Sequence, residues 1–202
     1  MKINDVRKLL SILNANIANE PDSLKSPNVG AHGSRQQAER IMMVADWCAA
    51  QWPGDLVEVT CRVGNMTRSL GAVARKHGRR VKALMLWGHG ADNWNSLYVE
   101  HPNSPHAEDM KKVVAFKDII DVIPGRPHWN RPPLCFALVD SMNDGRAYRN
   151  DIGMVSHCAG LIAVDDSLWH VAVAGAFLAM SHELQRGAIQ HPLCREVYLL
   201  PR

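Results

Sequence analysis

Acidic residues follow several short apolar runs of the sequence, at points where a strand would end. Asp140 follows one such run, and Asp165 and Asp166 follow the next one along the chain. The carboxyl ends of parallel strands meet at one edge of a sheet, where ligands bind in folds of this kind. Carboxylates collected there could bind a divalent cation, accept hydrogen bonds from a cofactor, or act as a base. The alternative is that these acids cap the next helix or turn.

The segment from Glu58 to Thr67 has the features of a ligand-binding loop between a strand and a helix. Gly64 lets the backbone approach a ligand closely, and a helix that begins near Thr67 offers free N–H groups. The segment contains neither the GxGxxG of dinucleotide-binding folds nor a P-loop. It therefore predicts a cofactor pocket at this strand-to-loop junction without naming the cofactor.

Short apolar strands alternate with helices along the chain, which predicts an α/β fold. The expected helices cover residues 2–18, 35–51, 67–76, 108–116, 148–156 and 171–185, and the expected strands cover 55–60, 81–87, 119–123, 134–140, 161–164 and 196–200. Such alternation is typical of a mainly parallel central sheet with helices on both faces. We expect residues 1–34 to form a helix and a loop that could lie over a pocket, and residues 35–202 to form the cofactor-binding domain.

The composition favours a globular protein of the cytoplasm. The chain has 202 residues, of which 47% are hydrophobic and 21% are charged, and its net charge of +3 is too small to argue for nucleic acid. The sequence has neither an apolar run of membrane-spanning length nor a signal-peptide pattern. Its five cysteines, none in a CxxC pair, fit free thiols in a reducing compartment. Helix 35–51, which carries Met42, Met43 and Trp47, could supply the face of a homodimer.

Three segments resemble motifs of the class I S-adenosylmethionine-dependent methyltransferases, in the version found in small-molecule O-methyltransferases of the macrocin type. Residues 54–71, Gly-Asp-Leu-Val-Glu-Val-Thr-Cys-Arg-Val-Gly-Asn-Met-Thr-Arg-Ser-Leu-Gly, resemble the first motif. Asp140-Ser141-Met142-Asn143, followed by Asp151, resembles the Asp-Gly-x-His element and the acid after it. Residues 156–166 resemble the Pro-Gly-Gly turn, the next strand and the paired aspartates. The resemblance spans about residues 35–200 and implies a Rossmann-like class I methyltransferase fold.

The resemblance also implies a reaction and a set of site residues. The cofactor would be S-adenosylmethionine, bound by Glu58, Thr60, Gly64, Asn65, Thr67, Trp87 and Asp140. The acceptor would be a small hydroxylated molecule, whose oxygen would bind a Mg²⁺ ion held by Asp140, Asp165 and Asp166. Without a metal, Asp140 or His170 would serve as the base.

Three departures from the family pattern leave other functions open. Thr60 stands in place of the first glycine, Ser141 replaces a second glycine, and Met85 or Trp87 falls where an acid would bind the ribose. One alternative is a protein that keeps the fold and binds a ligand or partner without catalysis. The other is a Rossmann-like enzyme that uses a nicotinamide nucleotide, against which the missing GxGxxG and the missing ribose acid both count.

Overall fold

The computed structural model describes residues 3–18, 35–60, 65–85, 116–124, 129–141, 144–165 and 170–202. The helices of these residues are α1 (Ile3–Ala18), α2 (Arg35–Gln51), α3 (Asn65–His77), α4 (Gly145–Met154) and α5 (Val171–Glu183). The strands are β1 (Asp55–Val59), β2 (Val81–Met85), β3 (Ile120–Pro124), β4 (Leu134–Val139), β5 (Leu161–Val164), β6 (Ala188–Gln190) and β7 (Val197–Leu199). No helix in these segments is long and apolar enough to cross a membrane.

The strands form one sheet in the order β3-β2-β1-β4-β5-β7-β6. Strands β1 to β5 run parallel, whereas β7 runs antiparallel to both of its neighbours. The chain passes from β1 outward to β2 and β3, and then returns to place β4 on the other side of β1. The strand order therefore reverses between β1 and β4, which is where open α/β sheets bind their ligands.

Apolar helix faces cover both sides of the sheet. On one side, Leu13 of α1 and Val44 of α2 belong to the same buried cluster as Leu56 of β1. On the other side, Ile152 of α4 packs in a cluster with Val57 of β1. Successive strand residues point to opposite faces, so a strand covered on both faces must be apolar throughout. This accounts for the continuous apolar run of β4, all six residues of which are buried.

The predicted fold class is confirmed, and most element bounds agree with it to within two residues. Helix α4 begins three residues earlier than expected, because the Asp144 side chain caps it by accepting a hydrogen bond of 2.9 Å from the Arg146 N–H. Strand β6 was not expected, since it is three residues long and mostly exposed. The helix expected over residues 108–116 lies, except for its last residue, outside the described part of the chain.

Candidate functional site

The ends of the central strands are aligned at one edge of the sheet. The Thr60 N–H donates to the Leu84 carbonyl across 3.0 Å, and the Asp140 N–H donates to the Val59 carbonyl across 3.2 Å. The Asp165 N–H donates to the Val139 carbonyl across 2.9 Å. Backbone pairing therefore continues just past the strands and places Thr60, Asp140 and Asp165 along the same edge. The sequence predicted this grouping from the carboxyl ends of parallel strands.

Glu58 ties the end of β1 to the helix that follows the predicted cofactor loop. Its side chain is 3% exposed and lies in the interior, and the hydroxyl of the fully buried Thr67 donates to Glu58 Oε2. Thr67 sits in the first turn of α3, which begins at Asn65. The contact therefore joins the residues on either side of positions 61–64, which lie outside the described part of the chain. The role of Glu58 in orienting the loop stays a prediction.

Thr60 occupies a backbone conformation that glycine adopts readily and β-branched residues rarely do. Its φ of 69° lies in the left-handed region. The family pattern places glycine at this position, and the observed φ supplies the physical reason. The Thr60 side chain is buried, with Oγ1 3.4 Å from Asp151 Oδ2 and 3.5 Å from Ser141 Oγ. It is therefore turned towards α4 and the end of β4.

Asp165 is held by a residue that the sequence analysis did not single out. Gln37, buried in the first turn of α2, donates its side-chain N–H to Asp165 Oδ1 across 2.7 Å. Asp140 and Asp165 are both half-buried. Among the residues that the structure describes, no three His, Cys, Asp or Glu side chains are grouped to hold a metal ion. The predicted Mg²⁺ site includes Asp166, which lies outside those residues, and it stays a prediction.

A buried ion pair fixes α2 above the β5–β7 side of this edge. Arg40 Nε donates to Glu196 Oε1 across 2.9 Å, and the two side chains are 4% and 0% exposed. Arg40 also donates to Asn16 Oδ1 of α1 across 3.3 Å, and the Tyr198 hydroxyl donates to Glu196 Oε1 across 3.3 Å. Burial, together with the Glu196 carboxylate, raises the pKa of Tyr198 well above its usual range, so this hydroxyl stays protonated.

The position of this ion pair relative to Asp165 follows from strand register. Val164 of β5 lies opposite Val197 of the antiparallel β7, so Glu196 directly precedes the residue that pairs at the end of β5. Gln37 and Arg40 are three residues apart and thus share one face of α2. The only sequence signal for this arrangement was that spacing of two polar residues on an otherwise apolar helix face.

The remaining predicted site residues are less fully described. His170 is the residue before α5, and its side chain makes no capping hydrogen bond to that helix. Asn65 is the first residue of α3, and β2 ends at Met85. Gly64 and Trp87 lie outside the residues that the structure describes. The roles assigned to these residues from the sequence stay predictions.

Three solved structures resemble the chain over most of its length. The O-methyltransferase NovP is 16% identical, with 96% of this chain and 97% of that one covered and a TM-score of 0.63. The SAH-bound methyltransferase PaMTH1 of Podospora anserina is 14% identical, with 96% and 86% covered and a TM-score of 0.58. The precorrin-6y C5,15-methyltransferase of Geobacter metallireducens GS-15 is 10% identical, with 89% of this chain and 93% of that one covered and a TM-score of 0.51.

No protein-family model matches the chain, and no curated protein matches it in sequence. At these identities the structural likeness concerns the fold. The chain has the Rossmann-like fold of the class I S-adenosylmethionine-dependent methyltransferases.

Proposed function

We propose that this protein is an S-adenosylmethionine-dependent methyltransferase that acts on a small hydroxylated molecule. The observation that carries the proposal is the position of Glu58, Thr67 and Asp140 at the β1/β4 reversal of a fold shared with methyltransferases. The all-parallel order of the dinucleotide-binding folds is 3-2-1-4-5-6, whereas this sheet inserts an antiparallel β7 beside β5. This difference favours a methyltransferase over an enzyme that uses a nicotinamide nucleotide.

The chemistry of the described residues suits this cofactor. When bound, S-adenosylmethionine supplies an electrophilic methyl group, and its amino group and ribose hydroxyls are hydrogen-bond donors that carboxylates can accept. Asp140 offers such a carboxylate, while the start of α3 offers N–H groups for an anionic group. The contact between Glu58 and Thr67 joins the end of β1 to the first turn of α3. The Thr60 side chain is directed at Asp151 and therefore occupies the interior rather than the surface of the loop.

The reaction at an acceptor hydroxyl requires a base and a fixed geometry. Asp140 is half-buried at the end of β4, so it can both meet a substrate and accept its proton. His170, before α5, is a second candidate for this proton. Holding the acceptor close to the cofactor would supply much of the rate enhancement, because positioning turns a bimolecular step into a unimolecular one.

The proposal includes a Mg²⁺ ion at this edge of the sheet. Asp140 and Asp165 carry the hard oxygen ligands that Mg²⁺ prefers, and both follow neighbouring strands. One oxygen of Asp165 accepts from Gln37, which orients this carboxylate. Asp166, the third ligand of this predicted site, lies outside the residues that the structure describes.

The first experiment measures binding of S-adenosylhomocysteine, the reaction product, by calorimetry and thermal denaturation. At a concentration about 100 times Kd, a ligand specific for the folded state stabilises it by about 2.7 kcal/mol. For a chain of this length that corresponds to a rise in Tm of roughly 5–11 °C. NADH at the same concentration should leave Tm unchanged. No shift with millimolar S-adenosylhomocysteine, or a shift with NADH alone, would refute the proposal.

The second experiment tests catalysis with Asp140→Asn. Transfer of a labelled methyl group from S-adenosylmethionine to a panel of phenols, catechols and sugars is measured in MgCl₂ and in EDTA. At saturating cofactor, loss of a general base should slow transfer by roughly 10²- to 10⁴-fold. Because the Asp140 carboxylate is also proposed to accept a hydrogen bond from the cofactor, binding of S-adenosylhomocysteine should weaken as well, and the two effects are measured separately. Asp118→Asn, at an exposed carboxylate two residues before β3 and so at the opposite edge of the parallel sheet, is the control.

A second candidate function is a protein that binds the cofactor or a partner without reaction. It is favoured by Thr60, which has a positive φ and stands in place of a glycine at the start of the predicted cofactor loop. Tight binding of S-adenosylhomocysteine with no methyl transfer to any acceptor, by the wild type or by Asp140→Asn, would support this candidate against the first.

A further inference from the structure

Two of the positions at which this sequence departs from the methyltransferase pattern touch each other in the folded chain. Thr60 and Ser141 each stand where the pattern has glycine, and their hydroxyl oxygens lie 3.5 Å apart. Both hydroxyls also reach the same atom, Asp151 Oδ2. Ser141 Oγ donates to it closely, and Thr60 Oγ1 donates across 3.4 Å. We call these three side chains the Thr60–Ser141–Asp151 cluster.

Burial makes the cluster a single chemical unit. Thr60, Ser141 and Asp151 are 2%, 8% and 1% exposed. A carboxylate at this depth requires hydrogen-bond donors, because an unpaired buried polar group is strongly destabilising. Glycine at position 60 or 141 would bring no hydroxyl. The two departures therefore supply two hydroxyls that share one buried acceptor.

The cluster spans the reversal of strand order. Thr60 directly follows β1, Ser141 lies two residues after β4, and the two strands are hydrogen-bonded neighbours with Val59 paired to Val139. Asp151 reaches them from the second turn of α4, which packs on the sheet face formed partly by Val57 and Val59. Thr60 and Ser141 therefore both lie just past the ends of their strands, at the edge of the sheet where the cofactor is expected.

The backbone conformation of Thr60 indicates what the cluster does. A β-branched residue at a φ of 69° is strained, and such conformations persist only where the surroundings determine them. The contacts from Thr60 Oγ1 to Asp151 and Ser141 are such determinants. Releasing them would let the backbone at Thr60 relax and shift the end of β1 relative to the end of β4.

We propose that Asp151 is a positioning residue of the cofactor site, which acts through the hydroxyls of Ser141 and Thr60 to set the spacing between the β1 and β4 ends. It is not a catalytic residue, because it is buried beneath the edge and its described contacts are to side chains of the protein. The inference rests on the proposed function, since the site it positions is the proposed S-adenosylmethionine site.

The test compares Asp151→Asn with the wild type by calorimetric titration with S-adenosylhomocysteine. The amide keeps the shape of the side chain but removes the charge that two hydroxyls share. We expect Kd to rise roughly 3- to 30-fold, the range by which residues without contact to a ligand modulate its binding. Glu183→Gln, on the exposed surface of α5, is the control and should leave Kd within about twofold of the wild type.

A merely structural role would give a different result. Kd is measured at a temperature at which thermal denaturation shows each variant to be fully folded. If Asp151→Asn lowers Tm but leaves Kd within about twofold, the residue only supports the fold and the inference is overturned. A wild type that binds no S-adenosylhomocysteine would instead overturn the proposed function, and the inference with it.

A double-mutant cycle tests the route through Ser141. If Asp151 acts through this hydroxyl, Ser141→Ala should weaken binding in the same direction, and the double variant should bind no more weakly than about the weaker single variant. Independent effects that multiply in the double variant would mean that Asp151 does not act through Ser141, which would overturn the proposed route.

Discussion

The ion pair between Arg40 and Glu196 offers the sharpest test of how α2 is held against the sheet. Its side chains are 4% and 0% exposed, and the charged atoms are 2.9 Å apart. Replacing one partner of such a pair leaves the other charge buried, which costs about 3–5 kcal/mol. Arg40→Met keeps an apolar side chain of similar length but removes the charge opposite Glu196. We therefore expect it to lose about 3–5 kcal/mol of the free energy of unfolding.

The magnitude can be checked by urea denaturation at pH 7 and by thermal melts. For a chain of this length, each kcal/mol corresponds to a Tm change of about 2–4 °C, so the expected fall is roughly 6–20 °C. The slope of the urea transition should stay unchanged if only stability is affected. The matched control is Arg149→Met, which breaks an ion pair with Glu183 whose side chains are 50% and 48% exposed. A pair exposed to that extent contributes only about 0–1 kcal/mol.

Two outcomes would refute the reasoning about this ion pair. One is that Arg40→Met costs no more than Arg149→Met, which would mean that water reaches the Arg40–Glu196 pair in solution. The other comes from the double variant Arg40→Met/Glu196→Leu, which removes both charges and should recover a large part of the loss. If the double variant is as unstable as the sum of its single variants, the loss comes from packing rather than from an unpaired charge.

Two further predictions concern packing and pH. Gly160→Ala would place its Cβ 1.9 Å from the Cys135 carbonyl oxygen, so thermal melts should show that the free energy of unfolding falls by more than about 3 kcal/mol. Gly175→Ala would place its Cβ in open space on helix α5, so the free energy of unfolding should rise by about 0.5–1 kcal/mol. The Arg80 guanidinium holds the pKa of Asp121 at about 2, below the value of about 3.9 in an unfolded chain. The ionised carboxylate therefore stabilises the fold above about pH 4, and this stabilisation is lost as the pH falls towards 2. Urea midpoints of Asp121→Asn should therefore fall less than those of the wild type between pH 5 and pH 2, and an equal fall would contradict this assignment.

The sequence was informative wherever one local pattern decides a structure. The apolar run of β4 and the helical spacing of α1 each reflect burial of a whole strand or helix face, so periodicity predicted them. Asp140 and Asp165 came to the same edge because parallel strands align their ends. Strand β6 was not predicted because its three residues are mostly exposed and carry no apolar pattern.

Contacts between distant residues could not be predicted from the sequence. Thr60 was recognised as a departure from a glycine pattern, but its partners Ser141 and Asp151 follow it by 81 and 91 residues. Gln37 reaches Asp165 across 128 residues. Such pairs depend on how helices are placed over the sheet, and hydrophobic periodicity carries no information about which polar side chains meet there.

The two sides of the proposed site are held by different parts of the protein, and this makes their contributions separable. The Thr60–Ser141–Asp151 cluster joins the ends of β1 and β4, where the cofactor is expected. Gln37 of α2 instead holds Asp165 at the end of β5, and the buried ion pair of Arg40 with Glu196 anchors α2. Because the two sets of contacts share no residue, changes in one set should act independently of changes in the other. A change at Asp151 should thus weaken the binding of S-adenosylhomocysteine, while a change at Gln37 should leave it intact and act on methyl transfer.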